Sequence, residues 1–134
     1  MSEYLFAYGT LQPGCAPAQI AHLAAKLRVV SEGFVRGRLY DLGGYPGAVP
    51  DENAKSRIAG TVMLLPEDEN VLRQLDAFEG FDPRSLETSE YVRELRRVDL
   101  LAGDSMQCWI YIYKWKPGNA RVIASGEWRK NSGR

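Results

Sequence analysis

Glu79 is the residue of this chain whose chemistry fits its position least. Between Pro66 and Gly80, Val71, Leu72, Leu75 and Phe78 recur at helical spacing and form one apolar face. Glu79 falls inside that face, one turn after Leu75 and two after Leu72, and Asp76 falls at its edge. The acids Glu67, Asp68 and Glu69 sit in the first turn, where the helix dipole favours them. Glu79 sits in the last turn, where the dipole opposes negative charge. Desolvation and dipole both push such a carboxyl toward a raised pKa. A group that shuttles protons near neutral pH needs that property. The competing reading is a glutamate of a frayed last turn, turned to solvent or paired with Arg84.

The second feature is Tyr8-Gly9-Thr10-Leu11. An aromatic strand, Tyr4 to Tyr8, runs straight into a loop that continues through Pro13 and Gly14. Glycine lets a ligand approach the backbone, and successive N–H groups in such a loop can bind an anionic oxygen. Neither GxxxxGK[ST] nor GxGxxG is present, and a simple turn fits the bare pattern as well. Other chemistry finds less support. His22, the only histidine, lies beside a helical stripe at a half-exposed position, and no Ser-His-Asp pattern forms. Arg93, Arg96 and Arg97 read as a solvated strand edge. Cys15 and Cys108 lie outside any CxxC pair, so no zinc set can be drawn from the usual spacings. They read as free thiols in a reducing compartment.

Elements must position Glu79 and the glycine loop. Ile20, Leu23, Ala24 and Leu27 predict a first helix from about Pro17 to Leu27. Val29 to Leu42 reads as a strand with a possible bulge at Gly37, and Gly43 to Gly47 as a tight turn. Arg57 to Leu65 is a further strand, and Pro66 opens the helix that Gly80 ends. Glu90 to Leu100 and Ser105 to Tyr113 form two strands around Ala102-Gly103-Asp104. In the last strand Trp109, Tyr111 and Tyr113 share one face, and Cys108, Ile110 and Ile112 share the other. Apolar residues on both faces predict a central strand. The order of elements gives an α+β fold with few helices against a mixed or barrel-like sheet.

The 134 residues suit one domain, with 45% hydrophobic and 25% charged residues. The expected domain spans residues 1–118, followed by a loosely held, polar and basic tail over 119–134. A formal net charge of zero argues against nucleic acid or a membrane surface as partner. Met1-Ser2-Glu3 has no positive region before its short apolar run, and no apolar stretch approaches the roughly 20 residues that span a bilayer. The expected location is cytoplasmic.

Four stretches resemble the gamma-glutamylcyclotransferase-like family, especially its small bacterial members and the gamma-glutamylamine cyclotransferases. They are YGTLQPG (residues 8–14), VRGRLYDLGGYPGAV (35–49), LDAFEGFDP (75–83) and YVRELRRVDL with CWIYIY (91–113), in family order. The resemblance implies a small mixed β-barrel with two main flanking helices. It also implies that the YGTL-type loop offers backbone N–H groups to a glutamyl substrate, and that the glutamate of the LDxxEG-type motif is the acid/base. Carried over, these are Tyr8, Gly9, Thr10 and Leu11 for binding and Glu79 for catalysis. The family includes members acting on glutathione, on gamma-glutamyl amino acids and on gamma-glutamyl amines, so fold does not fix substrate.

The implied reaction is closure of a gamma-glutamyl group to 5-oxoproline with release of the amine. It calls for no metal or cofactor, and for a small gamma-glutamyl molecule as partner. The glycine loop could hold either the oxyanion or the substrate carboxylate. Tyr45 and Tyr113 could line the pocket, or could be core aromatics with satisfied hydroxyls. A module of the same fold that binds a small ligand without turnover is the alternative reading. The pattern leaves the oligomeric state open.

Overall fold

The computed structural model describes residues 2–128. The strand with two apolar faces, β6 (Ser105–Tyr113), is central to the sheet. It pairs antiparallel with β5 (Tyr91–Leu100) and parallel with both β1 (Tyr4–Ala7) and β3 (Pro46–Pro50). On the far side, the long strand β2 (Arg28–Asp41) pairs with β3, with β4 (Arg57–Leu64) and, at Gly33 and Phe34, with β5. β4 in turn pairs with β1. The sheet therefore runs β1-β4-β2-β3-β6-β5 and is closed on itself by the β1–β6 and β2–β5 pairings. This is the small mixed barrel that the resemblance implies.

Alternation along the strands divides the core in two. Phe6, Val35, Leu39, Ile58, Val62, Val98, Cys108 and Ile110 point into the barrel. Leu5, Ala7, Met63, Tyr91 and Tyr111 point outward and are covered by Leu23 of α1 (Ala21–Ala24) and by Val71 and Leu75 of α2 (Glu69–Phe78). No helix among the described residues is long and apolar enough to cross a membrane.

Three expectations need correction. The first helix does not run from Pro17 to Leu27. It is a 3₁₀ turn over Ala18–Ile20 followed by the single α turn of α1. No side chain caps it, and Lys26 and Leu27 bond three residues back, to Leu23 and Ala24, so the last turn tightens and stops. The register shift in β2 lies between Val29 and Ser31 rather than at Gly37. At Gly37 the neighbouring strand passes so close that a Cβ would lie 2.6 Å from the Val49 carbonyl oxygen.

The tail is also held, as far as it is described. Arg121–Val122 form β7, paired with Asp41 and Tyr40 of β2. The Ile123 N–H donates to the Leu39 carbonyl at 2.7 Å, and the Ala59 N–H to the Gly126 carbonyl at 2.8 Å. Ile123 and Trp128 pack against the inner core. Unpaired strand groups and two apolar residues anchor this stretch, against its polar average. The remainder of the expected tail, residues 129–134, lies outside the described residues.

Candidate active site

α2 delivers Glu79, and it does so from a firm end. Asp68 caps the start of the helix, its Oδ1 accepting the Asn70 N–H at 3.0 Å. At the far end Gly80 takes φ +71°, the left-handed conformation that lets Phe81 N–H reach the Asp76 carbonyl (2.9 Å) and Gly80 N–H reach Ala77 (3.2 Å). Glu79 is thus the helical C-cap, its N–H bonded to Leu75, and the last turn is not frayed. Arg84 pairs with Asp82 instead. The Glu79 carboxylate makes no hydrogen bond or ion pair among the described residues, and it faces a cavity of about 330 Å³. Burial, then the nearby Glu90 and Asp76 carboxylates, push its pKa up from 4.5 to about 7.

Asp76, three residues earlier on the same helix, meets the opposite fate. It is buried, and its two oxygens accept Arg93 Nε (2.7 Å) and Nη2 (3.0 Å), with the Tyr111 hydroxyl donating at 2.8 Å. Arg93 is therefore not part of a solvated edge. Its side chain is 15% exposed and stacks over Trp109 at 4.3 Å, because Asp76 would otherwise be buried unpaired. Arg96 and Arg97 do stay on the exposed side, paired with Glu94 and Asp99.

Opposite Glu79 lies the loop after β1. The Tyr8 hydroxyl donates to the Tyr111 carbonyl at 2.6 Å and accepts the Ala48 N–H at 3.3 Å, tying the loop to β6 and β3. Gln12 closes the turn through its N–H to the Gly9 carbonyl and its side-chain amide to the Tyr8 carbonyl. The N–H groups of Gly9, Thr10 and Leu11 find no acceptor among the described residues. Gly9 packs against Pro46, where a Cβ would lie 2.8 Å from the proline Cγ.

The cavity brings together Tyr8, Gly9, Thr10, Leu11, Tyr45 and Glu79. Tyr45 stands at the mouth, 40% exposed, with its hydroxyl donating to Glu90 Oε2 at 2.7 Å; that bond first, then burial and the Glu90 charge, raise its pKa to about 12. Tyr113 does not line the cavity. It is half-buried and packs edge-to-face on Tyr91 at the edge of the core, with ring centroids 5.8 Å apart. Sequence reasoning missed Glu90, Tyr91 and Tyr111 as wall residues. Strand alternation carried a signal for Tyr111, which points to the side that α2 covers. The Tyr91 hydroxyl is spent on the Pro46 carbonyl at 2.6 Å, and burial pushes both tyrosine hydroxyls well above their usual range. Among the described residues no three His, Cys, Asp or Glu side chains converge as metal ligands. His22 is exposed on α1 and lies off the cavity.

The model of the gamma-glutamyl cyclotransferase, AIG2-like family matches residues 5–130. The chain belongs to this family. A Vibrio cholerae protein named "Putative gamma-glutamylcyclotransferase" is 32% identical over 131 residues, covering 96% of both chains. The crystal structure of YkqA from Bacillus subtilis superposes with a TM-score of 0.70 at 25% identity, over 96% of this chain and 40% of that one. An AIG2-like protein from Mus musculus shares the fold at a TM-score of 0.73 and 21% identity, over 98% and 91% of the two chains. Membership supports cyclotransferase-like activity in general terms. The AIG2-like frame also accounts for residues 119–128, since the match continues past the point where a tail was expected.

Proposed function

We propose that this protein cyclises a gamma-glutamyl amine or peptide to 5-oxoproline, with Glu79 as base and then acid. The observation that carries this reading is the unpaired Glu79 carboxylate, poised near pH 7, in one cavity with the unsatisfied N–H groups of Gly9, Thr10 and Leu11.

Ionised Glu79 takes a proton from the substrate α-ammonium. The freed amine attacks the γ-carbonyl carbon, a C–N bond forms, and the ring closes on a tetrahedral intermediate. The N–H groups of the loop are donors for the substrate's negative centres, the α-carboxylate and the developing oxyanion. Collapse breaks the original amide bond while protonated Glu79 returns its proton to the departing nitrogen, which is a poor leaving group as an anion; Glu79 then takes the surplus proton of the ring nitrogen and passes it to the released amine, which leaves as its ammonium. Glu79 ends as it began. Folding the glutamyl chain so that amine and carbonyl meet at about 3–3.5 Å can supply roughly 7–11 kcal/mol of the barrier reduction. Pro46, Phe78, Tyr91 and Tyr111 wall the cavity against which the chain would fold.

The test is 5-oxoproline release from gamma-glutamyl amines, gamma-glutamyl amino acids and glutathione, with wild type and Glu79→Gln side by side. Release by wild type, lowered at least about 100-fold in the variant with an unchanged circular dichroism spectrum, is the expected result. Wild-type-like turnover by Glu79→Gln would remove the mechanism. No release from any substrate would favour the non-catalytic binding module.

A further inference from the structure

The charges around the cavity are one-sided. Among the described residues, Glu79 and Glu90 line it and no lysine, arginine or histidine does. The two carboxylates are structural neighbours, since the Glu90 N–H donates to the carbonyl of Gly80, the residue after Glu79. Their repulsion contributes to the raised Glu79 pKa. Neither has an ion-pair partner among the described residues. Lys114 bonds the Glu90 carbonyl through its backbone N–H but directs its ammonium to the Leu86 carbonyl. The Glu90 carboxylate is held all the same, because the Tyr45 hydroxyl donates to Oε2 and fixes it at the mouth. Its second oxygen has no partner among the described residues.

Two like charges set side by side are costly without a ligand to balance them. A gamma-glutamyl group offers one balancing charge, the α-ammonium that Glu79 deprotonates. Its α-carboxylate is provided for by the loop N–H groups. A second cation has to come from the part that leaves. Resting on the cyclotransferase reading, we propose that Glu90, oriented by Tyr45, is a specificity-determining residue that binds a second cationic centre on the leaving amine. The favoured substrates are then conjugates of alkyl diamines or longer polyamines. Conjugates whose leaving part ends in a carboxylate meet two acids and no base, and are disfavoured.

Three conjugates of matched length test this: gamma-glutamyl derivatives of an unbranched monoamine, an α,ω-diamine and an ω-amino acid. kcat/KM for 5-oxoproline release is measured with wild type, Glu90→Gln and Tyr45→Phe. Affinity for the same conjugates is measured by calorimetry on Glu79→Gln and on Glu79→Gln/Glu90→Gln. Wild type should prefer the diamine to the monoamine by about tenfold or more, the scale of one charge-assisted hydrogen bond. Glu90→Gln should bring that ratio close to one, and Tyr45→Phe should lower it part-way. Equal handling of diamine and monoamine by wild type overturns the inference. So does a ratio that survives Glu90→Gln, or a uniform loss for all conjugates, which would put Glu90 on the glutamyl part instead. If no conjugate is turned over, the calorimetry still decides. A diamine preference that Glu90→Gln removes upholds the role of Glu90 while the cyclotransferase reading fails, and equal or absent binding overturns it.

Discussion

Glu79→Gln should make the protein more stable, and by an amount that depends on pH. The carboxyl titrates at about 4.5 when the chain is unfolded and at about 7 in the fold. Below pH 4.5 it is protonated in both states and contributes no pH dependence. As pH rises from there, the unfolded chain loses its proton first, so the folded state binds more protons and stability falls. The loss is complete above pH 7. A shift of this size corresponds to about 3 kcal/mol at roughly 1.4 kcal/mol per pKa unit. Glutamine has the same shape and no charge to desolvate. For a chain of this length, with an unfolding entropy of roughly 2.1 cal/mol/K per residue, about 3 kcal/mol is about 10 °C in Tm. The assay is thermal denaturation of both proteins from pH 4 to pH 8.5, read as the difference between them, so that other carboxylates cancel. The difference should be small at pH 4, open between pH 4.5 and 7, and level off above. A difference that stays flat with pH, or a variant that melts below wild type at pH 8, would refute the account of Glu79 as a desolvated, unpaired acid.

Two further outcomes follow from the same geometry. If ionised Glu79 is the base, kcat/KM rises with pH on an apparent pKa near 7, and Glu90→Gln, which removes a neighbouring negative charge, moves that rise to lower pH; pH–rate profiles of the two proteins check it. Asp76→Ala strands the Arg93 guanidinium and the Tyr111 hydroxyl without their acceptor. It should cost about 3–5 kcal/mol in urea unfolding, whereas Arg96→Ala on the exposed side should cost under about 1 kcal/mol.

Much of this molecule could be read from residue spacing, because spacing reports burial. The two apolar faces of β6 placed it between strands, and the apolar stripe of α2 placed Glu79 against the sheet. Spacing does not report partners. Asp76 looked like an edge residue and Arg93 like a solvated one until a helix and a strand 17 residues apart brought them to 2.7 Å. Glu90 gave no signal because it lies just before β5, at the end of an irregular segment, where no periodicity defines a face. Residues 121–128 were hidden by their polar average, since two apolar contacts and a few backbone hydrogen bonds are enough to dock a short segment. The first helix was overestimated because Ile20, Leu23 and Leu27 need burial, which two short turns supply as well as one helix.

β1 is the first strand in the chain, and its partners arrive late. Leu5 pairs beside Trp109, and the Tyr8 hydroxyl that anchors the glycine loop bonds a carbonyl 103 residues further on. During synthesis the loop therefore lacks its Tyr111 anchor until β6 has left the ribosome, although β4 and Ala48 of β3 are already there. Contacts of such high sequence separation are slow to form, since the entropy of closing a long loop comes before any reward. No nascent fragment short of β6 can hold the complete site, since Tyr111 is one of its walls. A mutation that merely delays closure of the barrel would thus lower the number of competent molecules without altering the chemistry of those that finish, and would register as reduced amplitude with an unchanged turnover number.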